Sequence, residues 1–249
     1  MTHVSIVPYD AEQKNATDAI VDSAIAFTGQ NNIDIVILNA GIYQTKPALR
    51  TTQQEREKIM QVNFQAPADL AQSLIQRGRW KERGRGHIVV VASVMSHGPH
   101  GLSSTYAASK AALKSYFHSL STEEYAWLRV DVACPGVTDT GLWDNSVQGG
   151  SIEGTKGGNM MQPDRVANLI LTGVAGKYFL FYETWISRVP GLLWVWLSHY
   201  MPNVFHSFVH LLGYIRVAIW EHEKLDAMDV PLLVQRLGMM LMGKYPPQK

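Results

Sequence analysis

Residues 86–110, GHIVVVASVMSHGPHGLSSTYAASK, decide how the rest of the chain is read. An unbroken apolar run from Ile88 to Ala92 ends at Ser93, a turn carrying Gly98, Pro99 and Gly101 follows, and a helical pattern opens near Thr105. A short apolar run bounded by turn signals predicts a strand buried on both faces, as in parallel sheets covered by crossover helices. Working outward, Val4 to Val7, Ile33 to Leu38 and Val130 to Ala133 repeat the signal, with helical stretches between them. Helices are predicted over Gln53–Ile75 and Thr105–Tyr125, and a less regular one where Asp18, Ala19, Val21, Asp22, Ile25 and Ala26 give mixed faces. This alternation predicts an α/β fold built on a doubly wound parallel sheet, and no internal repeat interrupts it.

The 249 residues are 46% hydrophobic, enough for one large domain with a buried core. With 22 basic against 21 acidic residues the net charge is +1, which gives no electrostatic reason to expect nucleic acid or an acidic partner. Small neutral substrates fit better. Cys134 is the single cysteine, so no internal disulfide forms, in keeping with a reducing compartment. The opening MTHVSIVPYDAEQK has no basic run leading into a long apolar stretch, so no signal peptide or N-terminal anchor is expected.

After Pro135 the character changes. Gly149, Gly150, Gly154, Gly157 and Gly158 crowd together with few apolar anchors, predicting a mobile substrate lid near residues 141–162. They follow no predicted strand and match no phosphate-loop pattern. A helix is predicted from about Pro163, closing a domain over residues 1–176. Residues 177–249 read as a strand and an apolar extension of the same domain. Within them Val189 to Ile215 carries no Asp, Glu, Lys or Arg but six aromatic residues, interrupted by Pro190, Pro202 and Gly213. That pattern suits a hairpin of short apolar helices at a membrane surface or subunit interface better than a membrane span. His206 and His210 have zinc-ligand spacing, but no Glu follows the first and His199 is the sole further candidate, so no metal is expected.

Tyr106 and Lys110 are four positions apart at the start of a predicted helix, which places them on one face. A nearby ammonium favours the phenolate and is expected to draw the tyrosine pKa from about 10 toward neutrality, where it serves as general acid or base. The alternative is a half-buried tyrosine beside a solvated lysine. Ser93 sits where the carboxyl ends of parallel strands open onto a ligand crevice, although a serine there also suits a cap on the following turn.

Taken together, Asn39-Ala40-Gly41 after one strand, Asn63 in a helix, Ser93 after the next strand, Tyr106-x-x-x-Lys110 and Pro135-Gly136 resemble the short-chain dehydrogenase/reductase family over roughly Val4 to Thr140. The resemblance implies a Rossmann-like sheet and an oxidoreductase using NAD or NADP. It casts Tyr106 as proton donor to a carbonyl being reduced, Ser93 as the group that orients that carbonyl, Lys110 as tyrosine activator and ribose ligand, and Asn63 as holder of a water in a proton relay. Asn39, Ala40 and Gly41 would pack along the cofactor, Asp10 would meet the adenine, and Pro135, Gly136, Val137 and Thr140 would line its nicotinamide end. Read alone, Asn39, Asn63 and Asp10 suit a turn, a polar helix position and a helix cap. Trp185-Ile-Ser187 and the stretch through Tyr200-Met201-Pro202 resemble more narrowly the dehydrogenase/reductase member seven group. That likeness implies a small apolar, retinoid- or steroid-like carbonyl or alcohol, a homo-oligomer, and association with a membrane surface such as the endoplasmic reticulum, with a cytoplasmic location as the alternative.

Family members carry a Gly-rich turn of the T-G-x-x-x-G-x-G kind, after the first of two further strands, which this sequence does not contain. Backbone donors in that turn hold the dinucleotide pyrophosphate. The expectation is therefore a sheet lacking those two strands, impaired cofactor binding, and, as the rival reading, a non-catalytic membrane-associated or dimerising protein derived from the family.

Overall fold

The computed structural model describes residues 3–201 apart from 15, 29–32, 100, 143–146, 148–159, 177–182 and 187–195, and beyond them only Val204 and Val209. The chain runs α1 (Thr17–Thr28), β1 (Ile35–Leu38), α2 (Gln53–Met60), a π turn (Gln61–Gln65), α3 (Ala66–Arg77), the short α4 (Trp80–Arg83), β2 (Gly86–Val91), α5 (Ser104–Glu123), β3 (Leu128–Pro135), α6 (Pro163–Ala175) and β4 (Glu183–Ile186). The strands form one parallel sheet in the order β1-β2-β3-β4.

Side-chain alternation along β3 separates the two faces. Leu128, Val130, Val132 and Cys134 join Leu113 and Phe117 of α5, with Leu38, Ile88 and Val90, in the main core. Ala133 points the other way, into a smaller cluster with Met161, Val166 and Ile170 around α6. Helices thus lie on both faces, and the α/β, doubly wound reading holds. Trp80 closes the amino-terminal end of the sheet: it is fully buried, and its indole Nε1 donates to the Ile33 carbonyl at 2.6 Å.

Three expectations need correction. Val4 to Val7 is not a strand; Val4 and Ile6 are 80% and 89% exposed. A strand is held by ladder hydrogen bonds and burial, and among the described residues this segment has no ladder partner. In the family order two strands separate it from β1, and here the sheet begins at β1. Secondly, β1 is shorter than Ile33 to Leu38 and is not buried on both faces. Ile35 and Ile37 are 49% and 46% exposed, because α6 covers their face of the sheet only over β3 and β4. Thirdly, the predicted Gln53–Ile75 helix is split by the π turn, which inserts one residue into the helical ladder and turns Asn63 inward. Its start is as the sequence suggests: Thr52 and Glu55 form a reciprocal capping box. The helices at α5 and α6 lie within two residues of their expected bounds. The substrate-lid region and the Val189 to Ile215 segment fall largely outside the described residues, as do His206 and His210.

Packing at the sheet base gives a direct test. A Cβ on Gly86 would stand 2.3 Å from Trp80 Cε3 and 2.6 Å from Cδ2, and a buried indole cannot swing aside. Gly86→Ala should destabilise the fold by about 1–3 kcal/mol, read as a lowered thermal midpoint; an unchanged midpoint would show that the strand can move away from the ring.

Candidate active site

Because every strand is parallel, the carboxyl ends of β1, β2 and β3 open on one side of the sheet, and the sequence-predicted residues gather there. Ser93 follows β2 and is 6% exposed. Its hydroxyl accepts from Met95 N at 3.2 Å, capping a 3-10 turn over Val94–Ser96, so the capping role is real. The same hydroxyl lies near enough to the Tyr106 phenol to lower its pKa. Tyr106 and Lys110 lie one turn apart on α5, 6% and 4% exposed, which rules out the alternative of a solvated lysine. Lys110 Nζ donates to the Val91 carbonyl at 2.9 Å, so the ammonium reaches back to the end of β2.

Asn63 is fully buried in the π turn, and its amide is well used. Oδ1 accepts from Ile42 N at 2.8 Å, while Nδ2 donates to Ile42 O at 2.9 Å and Ser109 Oγ at 3.0 Å. It therefore clamps the segment after β1 to the catalytic-helix candidate α5. A Cβ on Gly41 would stand 3.3 Å from both Asn63 Oδ1 and Lys110 Nζ, so glycine at this position lets the backbone lie against the two polar groups.

Electrostatically the pair departs from expectation. Burial pushes the Tyr106 phenol up, and the Ser93 hydroxyl only partly opposes it. Burial also pushes Lys110 down to about 8, with the nearby Cys134 thiol opposing. Desolvation penalises each group's charged form and is the largest cause of both shifts. The expected pull of the phenol toward neutrality is absent, since the lysine that was to supply it is itself desolvated and directed at the Val91 carbonyl.

Of the cofactor-binding candidates, Asn39 and Ala40 are exposed just past β1, Gly41 is half-buried beside them, and Pro135 ends β3. Gly136 is half-buried, Val137 is 49% exposed and Thr140 is exposed. Asp10 accepts from Glu12 N at 3.0 Å and from Gln13 Nε2 at 3.2 Å, stabilising its own turn. The sequence reading missed Gln44, which is 1% exposed and whose Oε1 accepts from Thr105 N and Tyr106 N. Nothing in the local sequence marks it, because a glutamine in a connection is ordinarily solvated. Tyr43 was also missed; its ring stands edge-on to Tyr106, 4.6 Å between centroids.

A half of a Rossmann-like sheet with Ser93, Tyr106 and Lys110 gathered at its carboxyl edge defines a nucleotide-binding type of α/β protein. The family model for short chain dehydrogenases matches residues 1–150, and the chain belongs to that family. It is similar to human dehydrogenase/reductase SDR family member 7, with 29% identity over 80% of this chain and 59% of that protein. Member 7B of Xenopus tropicalis is 31% identical over 82% of this chain and 65% of its own length. The chain thus spans about six-tenths of these relatives. Among solved structures, a Streptomyces avermitilis short-chain dehydrogenase superposes with a TM-score of 0.65 at 20% identity, covering 88% of this chain and 78% of that one. A Burkholderia cenocepacia short chain dehydrogenase in complex with NADP gives 0.65 at 17% identity, covering 82% and 77%. Both share the fold.

The depressed Lys110 pKa has a stability consequence whose sign is fixed. Between about pH 8 and the ordinary lysine value the unfolded chain binds the proton that the folded chain has released, so folding stability gains with rising pH. Below that window the buried ammonium is a standing penalty. Parent and Lys110→Met, compared by chemical denaturation, should converge from pH 8 to 10 in the parent's favour by on the order of 1 kcal/mol per pH unit. Parallel stability curves would show that Lys110 titrates normally.

Proposed function

We propose that this chain is an NAD(P)-dependent oxidoreductase that interconverts an alcohol and its carbonyl. The observation that carries the reading is the buried cluster itself: a phenol beside a serine hydroxyl that lowers its pKa, with a desolvated lysine one turn away, at the open edge of a parallel sheet. The nicotinamide, when bound, supplies or accepts the hydride. The residues present fit its ribose end, since glycine at Gly41 leaves open the approach to Lys110 Nζ and Asn63 Oδ1, and Asn39, Val137 and Thr140 are exposed.

In reduction, the Tyr106 hydroxyl gives its proton to the carbonyl oxygen while the Ser93 hydroxyl donates a hydrogen bond to the same oxygen. The phenolate left behind is disfavoured by burial, and a charged Lys110 on the same helix face offsets it. Asn63 holds Ile42 and Ser109 in place beside Lys110, the support on which a relay through it would rest. The walls around the phenol, Tyr43, Met95, Ala107 and Leu142, suit an apolar substrate. Relatives named 11-beta-hydroxysteroid dehydrogenase-like 2 and 3 in Arabidopsis thaliana support a steroid-like class. Asp10 apart, the matching cofactor positions in this chain lie at the nicotinamide and ribose end, so these 249 residues hold the dinucleotide weakly, and NAD and NADP are equally compatible with them.

Trp196, Tyr200, Met201 and Val204 are 46%, 71%, 42% and 51% exposed, and the Trp196 and Tyr200 rings are 5.5 Å apart on one side of a helical turn. Aromatic residues of this kind favour the headgroup region of a bilayer, which supports peripheral membrane contact. No helix among the described residues is long and apolar enough to cross a membrane.

With a steroid or retinoid carbonyl as substrate, Tyr106→Phe should abolish turnover and leave dinucleotide affinity within about twofold, since only the proton-transfer hydroxyl is lost. Lys110→Met should weaken both. Equal activity in Tyr106→Phe and the parent would overturn the assignment, and a low-micromolar dissociation constant by calorimetry would overturn the claim of weak binding.

Flotation with vesicles of phosphatidylcholine and phosphatidylserine tests the membrane contact. The parent should float and Trp196→Ala/Tyr200→Ala should float less; recovery of the parent only in the lipid-free fraction would exclude it.

A further inference from the structure

Between β1 and α2 the chain is buried in a way that a surface connection is not. Tyr43, Gln44, Thr45 and Lys46 are 2%, 1%, 4% and 9% exposed. A glutamine amide taken out of water is costly unless each of its polar positions is paired. Here all of them are. Oε1 accepts from Thr105 N at 2.8 Å and Tyr106 N at 3.2 Å, and Nε2 donates to Thr51 Oγ1 at 2.7 Å and Lys46 O at 3.2 Å.

The acceptors matter because the first amide groups of any helix have no partner within it. Ser103, at the N-cap of α5, makes no side-chain cap hydrogen bond; the acceptor is supplied by Gln44, 61 positions before Thr105. One of the two amides it holds belongs to Tyr106. The segment is anchored in turn: Lys46 N donates to Leu102 O at 2.8 Å, Thr51 Oγ1 donates to Pro47 O at 2.9 Å, and the Lys46 ammonium is paired with Glu55 at 2.9 Å. The Tyr43 ring braces the Tyr106 ring directly, and Tyr43 O accepts from Val147 N at 2.9 Å, tying the described part of the lid region to the same strap.

We infer that Gln44 is a positioning residue for the reaction: its amide fixes the first turn of α5 and so sets where the Tyr106 hydroxyl lies relative to Ser93. The inference rests on the oxidoreductase reading above for its kinetic arm only. A displacement of about 1 Å at a reacting group lowers rate on the order of a hundredfold. Gln44→Leu, of similar size but without acceptor or donor, should therefore lower kcat by about 10- to 100-fold with KM within about twofold. Gln44→Glu keeps an acceptor for both helix amides while losing the two Nε2 donations, and should lower kcat less than Gln44→Leu, staying within about fivefold of the parent.

The second arm needs no turnover. In protein labelled with tyrosine carrying carbon-13 at Cζ, the Tyr106 resonance is assigned by its loss in Tyr106→Phe. It should broaden or move in Gln44→Leu and remain near its parent position in Gln44→Glu, while the Tyr116 signal stays put. A folded Gln44→Leu protein with the parent's kcat, or with an unmoved Tyr106 resonance, would overturn the inference. If the parent turns over no substrate, the oxidoreductase reading fails and the resonance alone decides the role of Gln44. If Gln44→Leu does not fold, Thr51→Val, which removes one of the two partners of Gln44 Nε2 together with the Thr51 bond to Pro47 O, replaces it: a shifted Tyr106 resonance supports the role and an unshifted one refutes it.

Discussion

The structure turns on one constraint: polar groups taken out of water at the carboxyl edge of the sheet must each find a partner. Tyr106, Lys110, Ser93, Asn63 and Gln44 are all buried there, and the irregular features of the fold are the means by which they are paired. The π turn brings the Asn63 amide to both backbone atoms of Ile42. The end of β2 offers the Val91 carbonyl to Lys110. The Tyr43–Lys46 strap supplies the cap that α5 lacks. The Gln44 and Lys110 bonds join the connection after β1 and the end of β2 to α5, and Asn63 reaches α5 through Ser109 Oγ, so the same hydrogen bonds that prevent unsatisfied burial also hold these side chains in register.

The two faces of the sheet meet this constraint unequally. On the α5 face, Leu38, Ile88, Val90, Val130 and Val132 pack with Leu113 and Phe117 and leave no polar atom to satisfy. On the α6 face, His87 meets Asp131 at 2.8 Å, Arg129 also reaches Asp131 at 2.8 Å, and Ile35 and Ile37 stand partly in solvent. Register explains the grouping: Ile35 lies opposite His87, and His87 opposite Arg129, so these side chains share a face. A continuous apolar run in the sequence therefore does not mean equal burial. Val89 is 1% exposed and Ile37 is 46% exposed, although both point the same way.

This is why the fold was more legible than the site. Apolar runs and helical periodicity are local signals, and they located β1, β2, β3, α5 and α6 because those elements are stabilised by the burial that the pattern encodes. Val4 to Val7 carries the same pattern but has no ladder to join, a condition set by other segments and invisible locally. Ser93, Tyr106 and Lys110 were found through their spacing, which survives in sequence because a helix turn and a strand end fix it. Gln44 left no such trace. Its role comes from an amide reaching residues 61 and 62 positions away, and no periodicity encodes that distance. The shifted pKa values were misjudged for a related reason, since proximity of Tyr106 and Lys110 is readable but the depth of their burial is not.

That depth bears on the chemistry. Burial keeps the proton on Tyr106, the form needed to protonate a carbonyl oxygen, and leaves Lys110 near the point where it holds or releases a proton at mildly basic pH. For Tyr106 to act as a base on an alcohol, positive charge must be brought to the phenolate, and the Lys110 ammonium, one turn away on α5, is bonded to Val91 O. On the proposed oxidoreductase reading, the two directions of the reaction would ask different things of one lysine: reduction would begin from the arrangement present here, whereas oxidation would require the ammonium to favour the phenol oxygen over a backbone carbonyl.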